Sequence, residues 1–191
     1  MTADDVLAFW FGNDPREFRE AWFKQDDAFD KAIRERFSFT LESARDGALD
    51  GWAQTPAGTL ALVIVLDQFS RNLHRGSFLA FAGDAHARRI VRNAVARQVD
   101  AHLATMQRAF PYLPFEHSEE LADQDHSVAL FETLPAEGPT ATAVKSAREH
   151  REVIRRFGRF PRRNAALSRT GAAEEATYMA ESDRIYQVRS C

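Results

Sequence analysis

Three charged clusters lie within strongly apolar stretches of this chain: Asp67-Gln68-Phe69-Ser70-Arg71-Asn72, the segment from Tyr112 to Gln124, and Phe157-Gly158-Arg159-Phe160-Pro161-Arg162-Arg163-Asn164. Burying such groups costs free energy unless each is paired. Three clusters far apart in sequence therefore point to one shared polar site. Asp67 and Arg71 are four apart, acid before base, the favourable order for one helix face. An arginine held in that way can bind an anion, or the pair can simply close the helix end with Asn72 as a cap.

In the second cluster Glu119, Asp123 and Ser127 recur every four residues, and His117 and Gln124 are seven apart. Two carboxylates and a histidine could hold a divalent ion. Yet no His-x-x-x-His pair occurs, and His117 and His126 are about half a turn out of phase on a helix. Neither a metal nor a cofactor is expected. Glu119 and Asp123 are instead expected to pair with arginines of the basic helix. The third cluster supplies Arg159, Arg162, Arg163 and Asn164 beyond a helix stop at Gly158 and Pro161, with His150 seven residues before Phe157 on the apolar face. Gly-rich phosphate loops, Gly-x-Ser-x-Gly elbows, zincin motifs and an internal cysteine nucleophile are all missing, so no catalytic signature is present.

The chain that must position these groups has 191 residues, 45% hydrophobic and 28% charged, enough for a sizeable core in one domain. Fifteen Phe and three Trp predict an aromatic core. The formal charge of −3 gives no nucleic-acid signature. The longest fully apolar run, 60–66, is far short of the about 20 residues that a membrane span needs. An acidic N-terminus and a single cysteine, Cys191, fit a soluble protein of a reducing compartment, and the cytoplasm is expected. Charge is uneven. Residues 113–137 hold seven acids and no Lys or Arg, and 145–169 hold nine Lys or Arg against Glu149 and Glu152. These segments are expected to pack together and neutralise each other.

Nearly every long segment has helical period. Thr2 caps a helix that Gly12 ends. Asp14-Pro15 opens one carrying Phe18, Trp22 and Phe23. Asp26 or Asp27 starts another, with Phe29, Ile33, Phe37 and Leu41 on one face and Gly47 as its stop. Thr55-Pro56 begins a helix to about Asn72 whose 60–66 stretch is apolar on every face, so it should be central. Asp84 is read as the cap of a helix carrying Ala87, Ile90, Val91, Ala94 and Val95. A short helix covers about 101–109, Pro111 and Pro114 break the chain, and an acidic helix covers 115–134. Gly138-Pro139 is a loop, a basic helix spans about 140–157, and the last helix spans 172–181. The expectation is an all-α protein of about eight or nine helices in stacked antiparallel hairpins, one domain over 1–181, with a frayed tail over 182–191.

The clusters together resemble a largely bacterial group, domain-of-unknown-function family 924, over nearly the whole chain. The matching motifs are Val6-Leu7-Ala8-Phe9-Trp10-Phe11-Gly12, Trp22-Phe23, Asp67 to Asn72, Arg75-Gly76, Ala80-Phe81, Tyr112 to Gln124, Ser127, His150-Arg151 and Gly158 to Asn164. Ser70 stands where the family usually has Pro, and Arg162 where it often has His. The resemblance implies an all-helical, tetratricopeptide-like fold and no assigned activity.

The residues thus predict a helical binding module with one internal polar pocket. Asp67, Gln68, Arg71, Asn72 and Arg75 would form one wall, and His117, Ser118, Glu119, Asp123 and Gln124 a second. His150, Arg159, Arg163 and Asn164 would close it. Its partner would be a small anionic ligand or a peptide carboxylate, met by Arg71 and Arg159. The alternatives are a metal-assisted or acid–base hydrolase using His117 or His150 as base with Glu119 and Asp123 as metal ligands, and a purely structural interaction scaffold.

Overall fold

The computed structural model describes residues 1–189 except Asn13, Pro15 and Arg16, with no side chains beyond Glu181. Among the described residues there are nine α-helical segments and no strand, as the periodicity predicts. Helix α1 (Ala3–Phe11) starts at a capping box between Thr2 and Asp5 and ends at Gly12. Helix α2 (Asp27–Arg45) is capped by Asp26, whose carboxylate accepts from the backbone N–H groups of Ala28 and Phe29. The helix expected from Asp14-Pro15 is absent over the described residues. Only a 3-10 turn, Glu20–Trp22, forms there, and Pro15 lies outside them.

Thr55 caps α3 (Pro56–Val63) as its sequence predicts. The same helix continues through a π-helical segment, Ile64–Phe69, into α4 (Ser70–Leu73). Every residue from Leu60 to Ser70 is buried, so this is the central helix. The wide π turn was not read from the sequence. The stiff β-branched residues Val63, Ile64 and Val65 lie where the helix widens. Trp10, Trp22, Phe29, Phe37, Phe69 and Phe110 fill the adjoining space edge to face or tilted, with Trp10 and Trp22 stacked at 6.2 Å.

Helix α5 (Asp84–Ala96) begins after Gly83. Asp84 is its first helical residue and not its cap, because its carboxylate is taken by Arg71. Helix α6 (Thr105–Glu116) runs through Pro111 and Pro114, where a break was expected. The two prolines are three apart, so the lost hydrogen bonds fall on one face. Residues 110–116 are all buried, and that packing offsets the loss. The break falls instead at His117 to Glu120, so the acidic helix is shorter than expected: α7 is Leu121–Phe131. Helix α8 (Gly138–Phe157) includes Gly138 and Pro139 in its first turn, where a proline's missing N–H costs nothing. Helices α7 and α8 pack face to face, and Arg148–Glu132 (2.6 Å) and Arg151–Asp125 (3.5 Å) join the acidic and basic segments.

Gly158 adopts a left-handed conformation (φ +66°) that stops α8 and turns the chain into a 3-10 turn, Pro161–Arg163. Helix α9 spans Ala173–Arg189. The expected frayed tail over 182–191 falls where side chains, and at its end the backbone, lie outside the described residues. No helix is long and apolar enough to cross a membrane among those residues.

Candidate functional site

Asp67 sits in the π-helical segment and is almost completely buried. Its Oδ1 accepts from His117 Nδ1 at 2.8 Å and lies 2.9 Å from Arg71 Nη1, and its Oδ2 accepts from Gln68 Nε2 at 2.6 Å. Burial pushes this carboxyl up. The charge of Arg71, that of His117 once its ring protonates at low pH, and the hydrogen bonds of His117 and Gln68 outweigh it, and the group is held far below the usual carboxylate range. Arg71 also donates to both oxygens of Asp84, at 2.9 and 3.0 Å. Its guanidinium is therefore already bidentate to one carboxylate and bonded to another.

His117 occupies the C-cap of α6. Because Nδ1 faces a carboxylate, it carries the proton, and a neutral ring leaves the Nε2 lone pair free to accept. Burial first, and then the nearby Arg71 charge, pull its pKa down, so the ring is neutral at physiological pH. The His117 carbonyl accepts from Arg163 Nη2 at 2.8 Å. Arg163, from the 3-10 turn after α8, is wedged between the rings of Phe81 and Phe160, each 4.6 Å away. The carboxylate beside it is Asp84, at 3.6 Å, which Arg71 also holds. Burial and the Arg71 charge pull Arg163 down to about 10, unusual for a guanidinium.

His150, on α8, packs its ring 6.5 Å from that of His117 and 5.5 Å from Phe160. Its Nδ1 lies 2.9 Å from the Ser146 carbonyl oxygen and 3.0 Å from Glu116 Oε1, which also accepts from Ser146 Oγ at 2.8 Å. Glu116 Oε2 is buried without a hydrogen-bond partner. Both imidazoles are thus oriented by carboxylates, the usual way of fixing a histidine whose other nitrogen works.

The remaining sequence-derived residues divide among other networks. Glu119 accepts from Arg169 at 2.9 and 2.8 Å and from the Phe160 backbone N–H at 2.9 Å, which anchors the turn bearing Arg163. Asp123 accepts from Ser118 Oγ at 2.8 Å and from Arg92, with Arg88 at 3.5 Å. Neither acid takes its arginine from the 140–157 helix, contrary to expectation: α5 reaches Asp123 first, and Arg169 lies beyond that helix. Gln124 donates to the carbonyls of Glu116 and Ser118 at 2.6 and 2.7 Å, clamping the α6–α7 turn. Asn72 and Arg75 both donate to Asp30 on α2, beside an open cleft of about 340 Å³ that Lys31 and Arg34 also line. Arg159 and Asn164 donate to Glu175, whose carboxyl Arg159 and the Ala172 backbone N–H pull down to about 2.

The clusters therefore meet in part. Asp67, Gln68, Arg71, His117, His150 and Arg163 come together, and Glu119 braces them. Ser118, Asp123 and Gln124 hold the adjoining turn, while the Asp30 and Glu175 networks stand apart. Among the described residues no three His, Cys, Asp or Glu side chains are arranged to hold a metal ion. Asp84 and Glu116 escaped the sequence reading. Asp84 opens a helix and looks like a cap, but it follows a glycine and lies 13 residues from Arg71, a spacing no local rule connects. Glu116 closes the apolar run 110–115, the one available signal that its carboxyl would be buried.

This is an all-helical fold with a buried acid–histidine–arginine centre. The chain belongs to the family of bacterial proteins of unknown function known as DUF924, whose model matches residues 6–183. A solved structure of a protein of unknown function from Agrobacterium tumefaciens is similar, with 37% sequence identity and a TM-score of 0.84, covering 94% of this chain and 97% of that one. The comparison with curated proteins matched nothing.

Proposed function

We propose that the protein is a binding module for a small anion, a phosphorylated or carboxylated metabolite or a peptide carboxylate, at the face formed by Arg163, His117 and His150. One observation carries this reading: Arg163 is a largely buried cation whose neighbouring carboxylate, Asp84 at 3.6 Å, is shared with Arg71. Burying a charge in that state is unfavourable, and an incoming anion would relieve it. Arg71 and Arg159, the anion contacts expected from the sequence, already hold Asp84 and Glu175 in bidentate pairs, so the role passes to Arg163. A reducing compartment such as the cytoplasm suits a chain with one cysteine.

A second reading, acid–base catalysis, draws support from the 2.8 Å bond between Asp67 and His117, which leaves Nε2 as a base. It lacks a nucleophile beside it, as the Ser70 hydroxyl accepts from Arg45. The metal-assisted form gains nothing, because Glu119 and Asp123 are each neutralised by arginine.

Thermal unfolding in the presence of small anions tests the binding reading. An anion at 100 times its dissociation constant should stabilise the wild type by about 2.7 kcal/mol, a rise in Tm of roughly 5–10 °C for a chain of this size. Arg163→Met keeps the packing between the two Phe rings and removes the charge. Without ligand it should lose about 1–3 kcal/mol, because the His117 carbonyl loses its donor, and it should show no anion-induced rise. An equal rise in both proteins would reject Arg163 as the contact.

A further inference from the structure

The hydrogen-bond pattern of the same site restricts which anion it can take. His117 Nδ1 faces the Asp67 carboxylate, and His150 Nδ1 faces a backbone carbonyl and the Glu116 carboxylate. Carbonyl and carboxylate oxygens only accept, so both Nδ1 atoms donate, and a neutral imidazole then presents Nε2 as an acceptor. Arg163 has donors only. It is tied to the His117 carbonyl and stacked on Phe160, which also touches His150, so all three side chains share one patch. An anion here meets a guanidinium that gives hydrogen bonds and an imidazole that must receive one.

We propose that the anion bound here is a phosphate group that still carries a proton, its P–OH donating to His117 Nε2 while its other oxygens accept from Arg163. The proposal rests on the anion-binding reading above. Sulfate has the same shape and the same charge as doubly ionised phosphate but no proton at neutral pH, so its oxygens would face the Nε2 lone pair with nothing between them. An acceptor that the bound anion covers and leaves opposed in this way is costly, which is why sites that demand a hydrogen-bond donor reject analogues lacking it. The ring cannot readily escape by taking up a proton of its own. Of the charged groups around it, Asp67 on the π segment and Glu116 on α6 favour the imidazolium. Arg71 on α4 opposes it, as does burial, and the balance lies with the neutral form. Asp84 on α5 is occupied by Arg71, Arg163 on the 3-10 turn adds a further positive charge, and His150 is the facing group on α8.

Titration calorimetry on the full wild-type chain, with inorganic phosphate and with sulfate at matched ionic strength and neutral pH, tests this. Phosphate should bind at least about tenfold tighter than sulfate. Phosphoserine supplies an independent arm, since its phosphate loses the last proton near pH 6. Its affinity should fall as pH rises through that value, while inorganic phosphate, which keeps one proton, should hold. His117→Gln puts an amide able to donate in place of the acceptor and should narrow the gap between phosphate and sulfate. Equal binding of the two anions by the wild type, or a gap unchanged in His117→Gln, overturns the proton requirement and leaves anion binding standing. Binding of neither anion overturns both.

Discussion

Asp67→Asn should destabilise the protein by about 3–5 kcal/mol, the cost of removing one partner from a buried ion pair. For a chain of this size that corresponds to a fall in Tm of roughly 6–20 °C, measurable by calorimetry. The substitution conserves volume, so the loss is electrostatic. Arg71 keeps Asp84, but the amide has one acceptor oxygen where Asp67 met Arg71, His117 and Gln68, and its NH2 is set against one of those donors in a site that water barely reaches. The pH dependence has a definite sign. A carboxyl held below its unfolded value of about 3.9 binds fewer protons in the folded state. Its contribution is complete above that value and drains away as pH falls from there towards the folded pKa. His117, whose pKa is lowered by burial and by Arg71, acts in the same direction at a higher pH, because the unfolded chain takes up the proton first as pH falls through about 6.5. The wild type should therefore lose stability in two stages on acidification, and Asp67→Asn should lack the more acidic one. An acid limb unchanged in the variant would show that Asp67 does not carry it.

Gly83→Ala should also destabilise the protein, for a different reason. A Cβ at residue 83 would lie 2.4 Å from the carbonyl oxygen of Leu66. That carbonyl belongs to the π-helical segment, so neither side can yield without moving backbone. Overpacking of this kind costs about 1–3 kcal/mol, and occasionally more. The displacement would fall on the two residues following the contact, Asp67 on one side and Asp84 on the other. The variant should thus lose anion-induced stabilisation as well as Tm. A variant as stable as the wild type would mean that α5 can stand off from the central helix without penalty.

The helical elements and the central position of 60–66 were legible because each rests on local chemistry: period, caps at Thr2 and Thr55, and stops at Gly12 and Gly158. Where local rules failed, tertiary packing had overridden them. Pro111 and Pro114 sit inside a helix because its other faces are buried, and the π turn at Ile64–Phe69 leaves no mark in a uniformly apolar sequence. The candidate site was legible as a set of residue types and not as a set of pairs. Asp67 with Arg71 follows from a spacing of four. Asp67 with His117, Arg163 with the His117 carbonyl and Arg169 with Glu119 link residues 46 to 50 apart, and only the fold selects those partners.

Those long separations have a bearing on the order of assembly. During synthesis Asp67, Arg71 and Asp84 leave the ribosome well before His117, and Arg163 and Arg169 arrive only with the last part of the chain. An N-terminal fragment that has already condensed its aromatic cluster would still hold an open, partly neutralised set of charges. The segment carrying Arg163 acts as a latch, and a ligand that grips it ties the end of the chain to its middle. Occupancy would accordingly slow global opening, which must release that latch, and leave the fraying of α1 untouched. Amide exchange separates these two kinds of motion.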